Sequence, residues 1–358
     1  MKFSLLTTIC AITIGESISM PFAQAATFMG LGDLPGGRFY SAALDISADG
    51  KVVVGESESD SGLEAFRWTQ VEGMVGLGSL PEGSFSRANG VSADGSVVVG
   101  ASSAGLQLEA FRWTQADGMV GLGVLNGGDF SSEASDTSAD GSIVAGWSET
   151  TSGFEAFRWT PAGGMVGLGT LTGFNFTSQA DAISADGNVI VGTSGTPRPR
   201  NEAFRWTQID NMTGLGDLPG SVFFSQAQDI SGDGKVVVGR GSATSGTEAF
   251  RWTQASGMEG LSDLPGDIGN SVAFGVSADG SVVVGVGNLV TAPEAFRWDA
   301  INGMSNLKGI LIAQGVDLTG WTLSFASGIS ADGRTIVGRG INPDGLLEAF
   351  IATLDDLE

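Results

Sequence analysis

The chain predicts an all-β fold, a seven-bladed β-propeller of four-stranded antiparallel blades, and three features predict it. The phrase E-A-F recurs at Glu64, Glu109, Glu155, Glu202, Glu248, Glu294 and Glu348. A second phrase, S-x-D-G, places its Asp at Asp49, Asp94, Asp140, Asp186, Asp233, Asp279 and Asp332, so seven units of about 46 residues run from Thr27 to Leu354. Each unit spells four short strands rich in Val, Phe and Trp between Gly-rich turns, the pattern of a propeller blade.

The first unit justifies the elements in order. "FMGLGDL" is one strand and "AALDIS" the next, joined by the longest connection of the unit, which therefore crosses between blades. "SADG" is a tight turn whose last residue, Gly50, is there for a left-handed backbone. "KVVVGES" is apolar on both faces, as a strand between neighbouring sheets must be. "EAFRWT" completes the set, with Phe66 and Trp68 on one face and Ala65 and Arg67 on the other. The chain opens on a "FMGLG" strand and finishes on an "EAFIATL" strand, elements that elsewhere follow one another through a short turn. The first strand is thus expected to complete the last blade and close the ring. Ala43, Ala88, Ala134, Ala180, Ala227, Ala273 and Ala326 stand at one position, six residues before the S-x-D-G Asp, as suits an innermost strand where blades converge.

These phrases, "EAFRWT", "GMVGLG", "DLPGG" and "SADG" followed by "VVVG", resemble the HAF-type extracellular repeat of secreted bacterial proteins, with Glu standing where that name implies His. The resemblance covers essentially all of the chain after its leader. It implies export and a repeat architecture, and it assigns no catalytic residue.

Residues 1–25 read as a signal peptide: Lys2, an apolar stretch, then Ala23-Gln24-Ala25 as a cleavage site. Residues 26–358 are then one propeller domain. Cys10, the single cysteine, falls in the leader, so disulfide, thiol and Cys–metal chemistry are excluded from the mature chain. The chain has no His, which removes imidazole bases, His triads and His-ligated zinc. Forty acidic against 17 basic residues, a formal charge of −23, argue against nucleic acid and anionic membranes as partners. No later segment is apolar enough to insert in a membrane, and a monomer is expected.

The repeated Asp49, Arg67 and Trp68, with Asp94, Arg112 and Trp113 in the next unit, read as structural. A half-buried Arg67 needs an acceptor, and Asp49 or Glu64 of its own unit is the expected one. The last unit carries Ile351 and Ala352 in place of Arg and Trp, and its insertion "NLKGILIAQGVDLTGW" is long enough for a short helix.

Function is expected where the repeat varies, in the inter-blade connections and the turns before E-A-F, all on one face. The candidate ligand contacts there are Arg38, Tyr40, Arg87, Asp129, Phe174, Arg198, Arg200 and Phe223, since aromatic rings beside Arg suit a polar ligand such as a sugar. Phe39, Phe85, Phe130, Phe176 and Phe224 recur and are expected to plug gaps between blades. "DISADG", Asp45 to Gly50, echoes a calcium loop. Its first Asp returns only at Asp136 and Asp229, so a tight turn is the better reading and no cofactor is called for.

Three classes of function remain: a secreted binding or scaffolding propeller without catalysis, for protein or polysaccharide; a carbohydrate-active enzyme; and a structural component of a surface layer. The enzyme would use two carboxylates at the axis mouth, drawn from acids such as Asp129, Glu133, Asp181 and Asp267. The absence of site chemistry favours the first.

Overall fold

The computed structural model describes residues 25–105, 107–125, 131–171, 177–195, 201–265, 269–288 and 292–355. The leader lies outside them, except for Ala25.

Seven four-stranded antiparallel sheets follow one another, each built from four strands consecutive in the chain except the last. In blade 1 these are Gly36–Ile46, Val52–Ser59, Gly62–Thr69 and Gly73–Gly76. Blades 2 to 6 occupy 86–121, 132–167, 178–214, 220–260 and 272–306. Blade 7 takes Thr322–Ile329, Thr335–Ile341 and Leu347–Thr353, and its fourth strand is Thr27–Gly30 from the start of the chain. The ring therefore closes as expected, through the register Thr27↔Thr353 to Gly30↔Phe350.

That closure explains the departure at Ala352. In blade 1 Trp68 stands opposite Met74, whereas in blade 7 Ala352 stands opposite Phe28. The large side chain has moved to the partner strand, where the Phe28 ring packs edge-on to Trp321 (4.9 Å between centroids) and beside Phe350 (5.6 Å). The helix expected in the last insertion is Leu307–Ala313, capped by Asn306 Oδ1 accepting from Gly309 N–H.

The invariant Ala of each innermost strand is fully buried. One residue further on, the strand bulges, between Ala43 and Asp45 in blade 1 and at the same place in the other six. The Gly that ends each "VVVG" answers this bulge: a Cβ on Gly55 would lie 2.0 Å from the Ala42 carbonyl oxygen. Gly50 adopts φ +73, and its six equivalents are left-handed too, as the tight turn requires.

The repeated polar residues hold blade to blade. Ser86 accepts from the Ala65 N–H of the preceding blade (2.8 Å) and donates to the Gly78 carbonyl (2.5 Å). Ser41 does the same across the closure, to Ala349 and Gly32. Around the narrow face, Ala48 N–H donates to the Ala93 carbonyl, Ala93 to Ala139 and Ala139 to Ala185, and Ala331 donates to Ala48 to join the ends.

The expected partners of Arg67 are corrected here. Its Nε donates to the Gly95 carbonyl of the next blade (3.2 Å) and its Nη1 to Glu72 (3.1 Å). Asp49 is occupied within its own turn by Ser47 and Lys51, and Glu64 accepts from Gly78 N–H (2.8 Å). Arg112 and Arg251 repeat the inter-blade bond, to Gly141 and Gly280. Glu109, Glu155, Glu202, Glu248 and Glu348 repeat the turn bond. Glu thus recurs as a staple to the outer turn of six blades, and Arg as a staple to the next blade from blades 1, 2 and 5.

Candidate ligand-binding mouth on the propeller axis

Two columns of the repeat escape repetition, and they flank the invariant Ala of each inner strand. The residues before it are Ala42, Arg87, Glu133, Gln179, Gln226, Val272 and Phe325. Those after it are Leu44, Asn89, Ser135, Asp181, Gln228, Phe274 and Ser327. In a closed ring the inner strands of all seven blades converge, so the second set is brought together on the axis, while Ala42 and Val272 of the first are buried.

On the axis is a cavity of about 110 Å³, lined by residues of every inner strand, Asn89, Asp181, Gln228 and Phe274 among them. A few waters at about 30 Å³ each would fill it, and small-molecule sites generally need several hundred Å³. Asp45, Asp136 and Asp229 border it. Each carboxylate spans two blades: Asp45 accepts from Ile46 N–H (2.7 Å) and from Val91 N–H of blade 2 (2.9 Å). Asp136 accepts from Thr137 and Ile183, and Asp229 from Ile230 and Val276. In blade 2 the equivalent position is Gly90, where the neighbour leans in: a Cβ there would lie 2.9 Å from Asp136 Cα.

Burial pushes Asp45 and Asp229 up, with the charge of Asp136 adding to it, and burial raises Asp136 against two backbone hydrogen bonds that lower it. These oxygens point at backbone N–H groups. Among the described residues no group of three or more acidic side chains could hold a metal ion. The "DISADG" segment is accordingly a tight turn closed by Ser47 and Asp49 and a blade-to-blade strut at Asp45.

Towards the face of the inter-blade connections the axis carries the richer chemistry. Arg87 of blade 2 forms an ion pair with Glu133 of blade 3, and Asn89 Nδ2 donates to the same Glu133 oxygen (2.8 Å). Asp181 of blade 4 is pushed up to about 7, by desolvation first and by the charge of Glu133 next, while the Thr193 hydroxyl (3.5 Å) and Arg240 act the other way. Tyr40 donates to Glu56 (2.8 Å), and burial and that carboxylate push its phenol up to about 12.

The remaining side of the mouth is aromatic and cationic. Arg240 of blade 5 lies over Phe224 (5.7 Å from guanidinium to ring centre), with Nε donating to Gln226 Oε1 (2.7 Å). Arg339 of blade 7 lies over Phe325 (4.3 Å), whose ring is 6.4 Å from that of Phe274.

Of the residues expected from sequence, Arg87 and Tyr40 join this constellation. Arg38 stands exposed and pairs with Glu58 (3.3 Å), at the outer part of the long hairpin formed by Gly36–Ile46 and Val52–Ser59. Phe223 is half-buried in the long inner strand Gly220–Ile230, beside Phe224. Phe224, expected as a plug, is half-buried with Arg240 over its ring. Asp129, Phe174, Arg198 and Arg200 lie outside the described residues, as does Asp267. Sequence reading missed Glu56, Asn89, Gln226, Arg240, Phe274, Phe325 and Arg339. Comparing columns of the repeat, rather than loops, would have found them.

No family model matches the chain, and no curated protein matches it. Among solved structures it is similar to TolB from Acinetobacter baumannii, at 12% identity over 88% of this chain with a TM-score of 0.46. It spans 63% of that protein. It is also similar to a putative TolB from Agrobacterium tumefaciens, at 15% identity over 80% of this chain and 95% of that one, with a TM-score of 0.46. The similarity to an oligogalacturonate lyase in complex with manganese is 11% identity over 87% of this chain and 88% of that one, with a TM-score of 0.56, and it shows a shared fold alone.

Proposed function

We propose that this chain is an exported binding propeller without catalysis, which takes a polar ligand, protein or polysaccharide, at the axial mouth. One observation carries the reading. Positions that build the fold are repeated nearly verbatim, whereas charged, amide and aromatic side chains that do not repeat converge at one mouth. Fold stability needs no such variety, and buried or half-buried charge there costs free energy. Export follows from the leader pattern of residues 1–25. An HAF-type repeat protein at or outside the cell surface fits both.

The test is binding of the purified protein to arrays of glycans and peptides, alongside Arg87→Ala/Asn89→Ala in the mouth and Val75→Ser on the exposed outer strand. Loss confined to the mouth variant supports the reading. Loss confined to Val75→Ser moves the interaction to the perimeter and leaves a structural surface role in first place.

A second reading, a carbohydrate-active enzyme, is favoured by one pair of groups. Glu133 is ion-paired with Arg87, and its charge acts on Asp181, a carboxyl that holds its proton near neutrality. A carboxyl that keeps its proton beside a second carboxyl group is the pairing that glycoside cleavage uses. Release of reducing ends, abolished in Asp181→Asn, is its signature; retention of glycan without release leaves binding alone.

A further inference from the structure

We infer that the ligand of this mouth is a carboxylate-bearing saccharide, with its carboxylate gripped by Arg240 and Arg339. The inference rests on the mouth being the binding site and names the chemistry it selects. Arg240 and Arg339 stand on blades 5 and 7, either side of blade 6. Neither forms an ion pair among the described residues, in a chain with 40 acidic side chains to choose from.

Each guanidinium has one face covered by a Phe ring. Stacking of this kind fixes the plane of the group; Arg240 spends its Nε on Gln226 and Arg339 reaches the Tyr40 phenol, which leaves the other N–H groups of each for a ligand. Such N–H groups match a planar carboxylate through two parallel hydrogen bonds. Blade 6, between the two, presents the half-buried ring of Phe274, while its Val272 and Val286 are buried. An aromatic ring between two planar cations suits the C–H face of a sugar ring with an acid group at its edge. Beyond that ring stand Gln179 and Gln228, amide side chains that both donate to and accept from hydroxyls. An acidic peptide would use the two Arg but has less call on those amides.

The experiment is calorimetric titration at fixed ionic strength with four probes: a hexuronate trisaccharide, its fully methyl-esterified form, a sulfated trisaccharide and a glutamate-rich peptide. The expected result is binding of the hexuronate, weakened tenfold or more by esterification and by Arg240→Gln or Arg339→Gln. Arg240→Lys should recover only part of the loss, because it returns charge without the fork. Melting curves verify that the variants are folded. Equal binding of the ester, unaffected by either Arg variant, overturns the carboxylate assignment while the mouth remains a saccharide site. Preference for the sulfated probe or the peptide overturns it as well. If no probe binds, and the mouth variant also behaves as wild type on the arrays, both the inference and the functional reading fall.

Discussion

Replacing Asp181 by Asn should stabilise the protein above neutral pH and leave it unchanged in mild acid. Asp181 is pushed from 3.8 to about 7, chiefly by desolvation. A carboxyl that is easier to ionise unfolded than folded holds its proton longer in the native state. Its contribution is therefore intact below about pH 4, declines as pH rises, and reaches its full deficit above about pH 7. At about 1.4 kcal/mol per tenfold change in proton affinity, the upper bound on that deficit is about 4 kcal/mol. The carboxyl borders the open mouth, where solvent screens part of it, so about 1–3 kcal/mol is the expected size. Asn gives up little in exchange, because among the described residues the one side-chain bond to Asp181 is the long 3.5 Å contact from Thr193. Urea unfolding of both proteins from pH 4.5 to 8 measures the difference directly. The gap should open with pH, in favour of the variant. A gap that is flat with pH, or a variant weaker at pH 8, would refute the burial argument. If the gap opens, an acid is being kept in the mouth at the expense of stability, which is the behaviour of a site residue.

Three further predictions follow from the same geometry. Thermal stability of the wild-type protein should peak at about pH 4–5: Asp45, Asp136, Asp181 and Asp229 are raised and withdraw stability as pH climbs from there. Seryl hydroxyls and turn N–H groups hold Asp94, Asp140 (down to about 2), Asp186 and Asp279 low, so these withdraw it as pH falls below about 4; melting curves from pH 2 to 9 test both limbs. Ser86→Ala leaves the Ala65 N–H buried without its acceptor and should cost about 1–3 kcal/mol in urea unfolding, whereas a loss under about 0.5 would mean that the serine staples do not join the blades. Phe28→Ala removes the ring packed on Phe350 and Trp321, for about 2–4 kcal/mol, and should speed amide exchange first in Leu347–Thr353; uniform exchange over all blades would argue against closure through this strand.

Much of this architecture is legible in the chain because a propeller is a local code written seven times. Alternation sets the faces of "EAFRWT", Gly50 and its equivalents set the turns, and the phase between first and last strands sets the closure, all within one repeat length. The partners of the repeated charges were less legible. Arg67 is bound by a carbonyl 28 residues away on the next blade, a backbone acceptor that carries no side-chain signature.

The site divides along the same line. Tyr40 and Arg87 stand out as varied residues in the connections, and the structure places them in the mouth. Arg240, Arg339, Phe274 and Phe325 lie inside regular strands, where a sequence reader expects packing. The chain by itself determined the blade, its turns and the number of copies, because hydrophobic period and turn chemistry act over a few residues. Only the tertiary structure decided which side chains meet. Closing the ring brings Glu133, Asp181, Arg240 and Arg339 from four different blades to one axis, and the burial that raises Asp181 exists only once they are there.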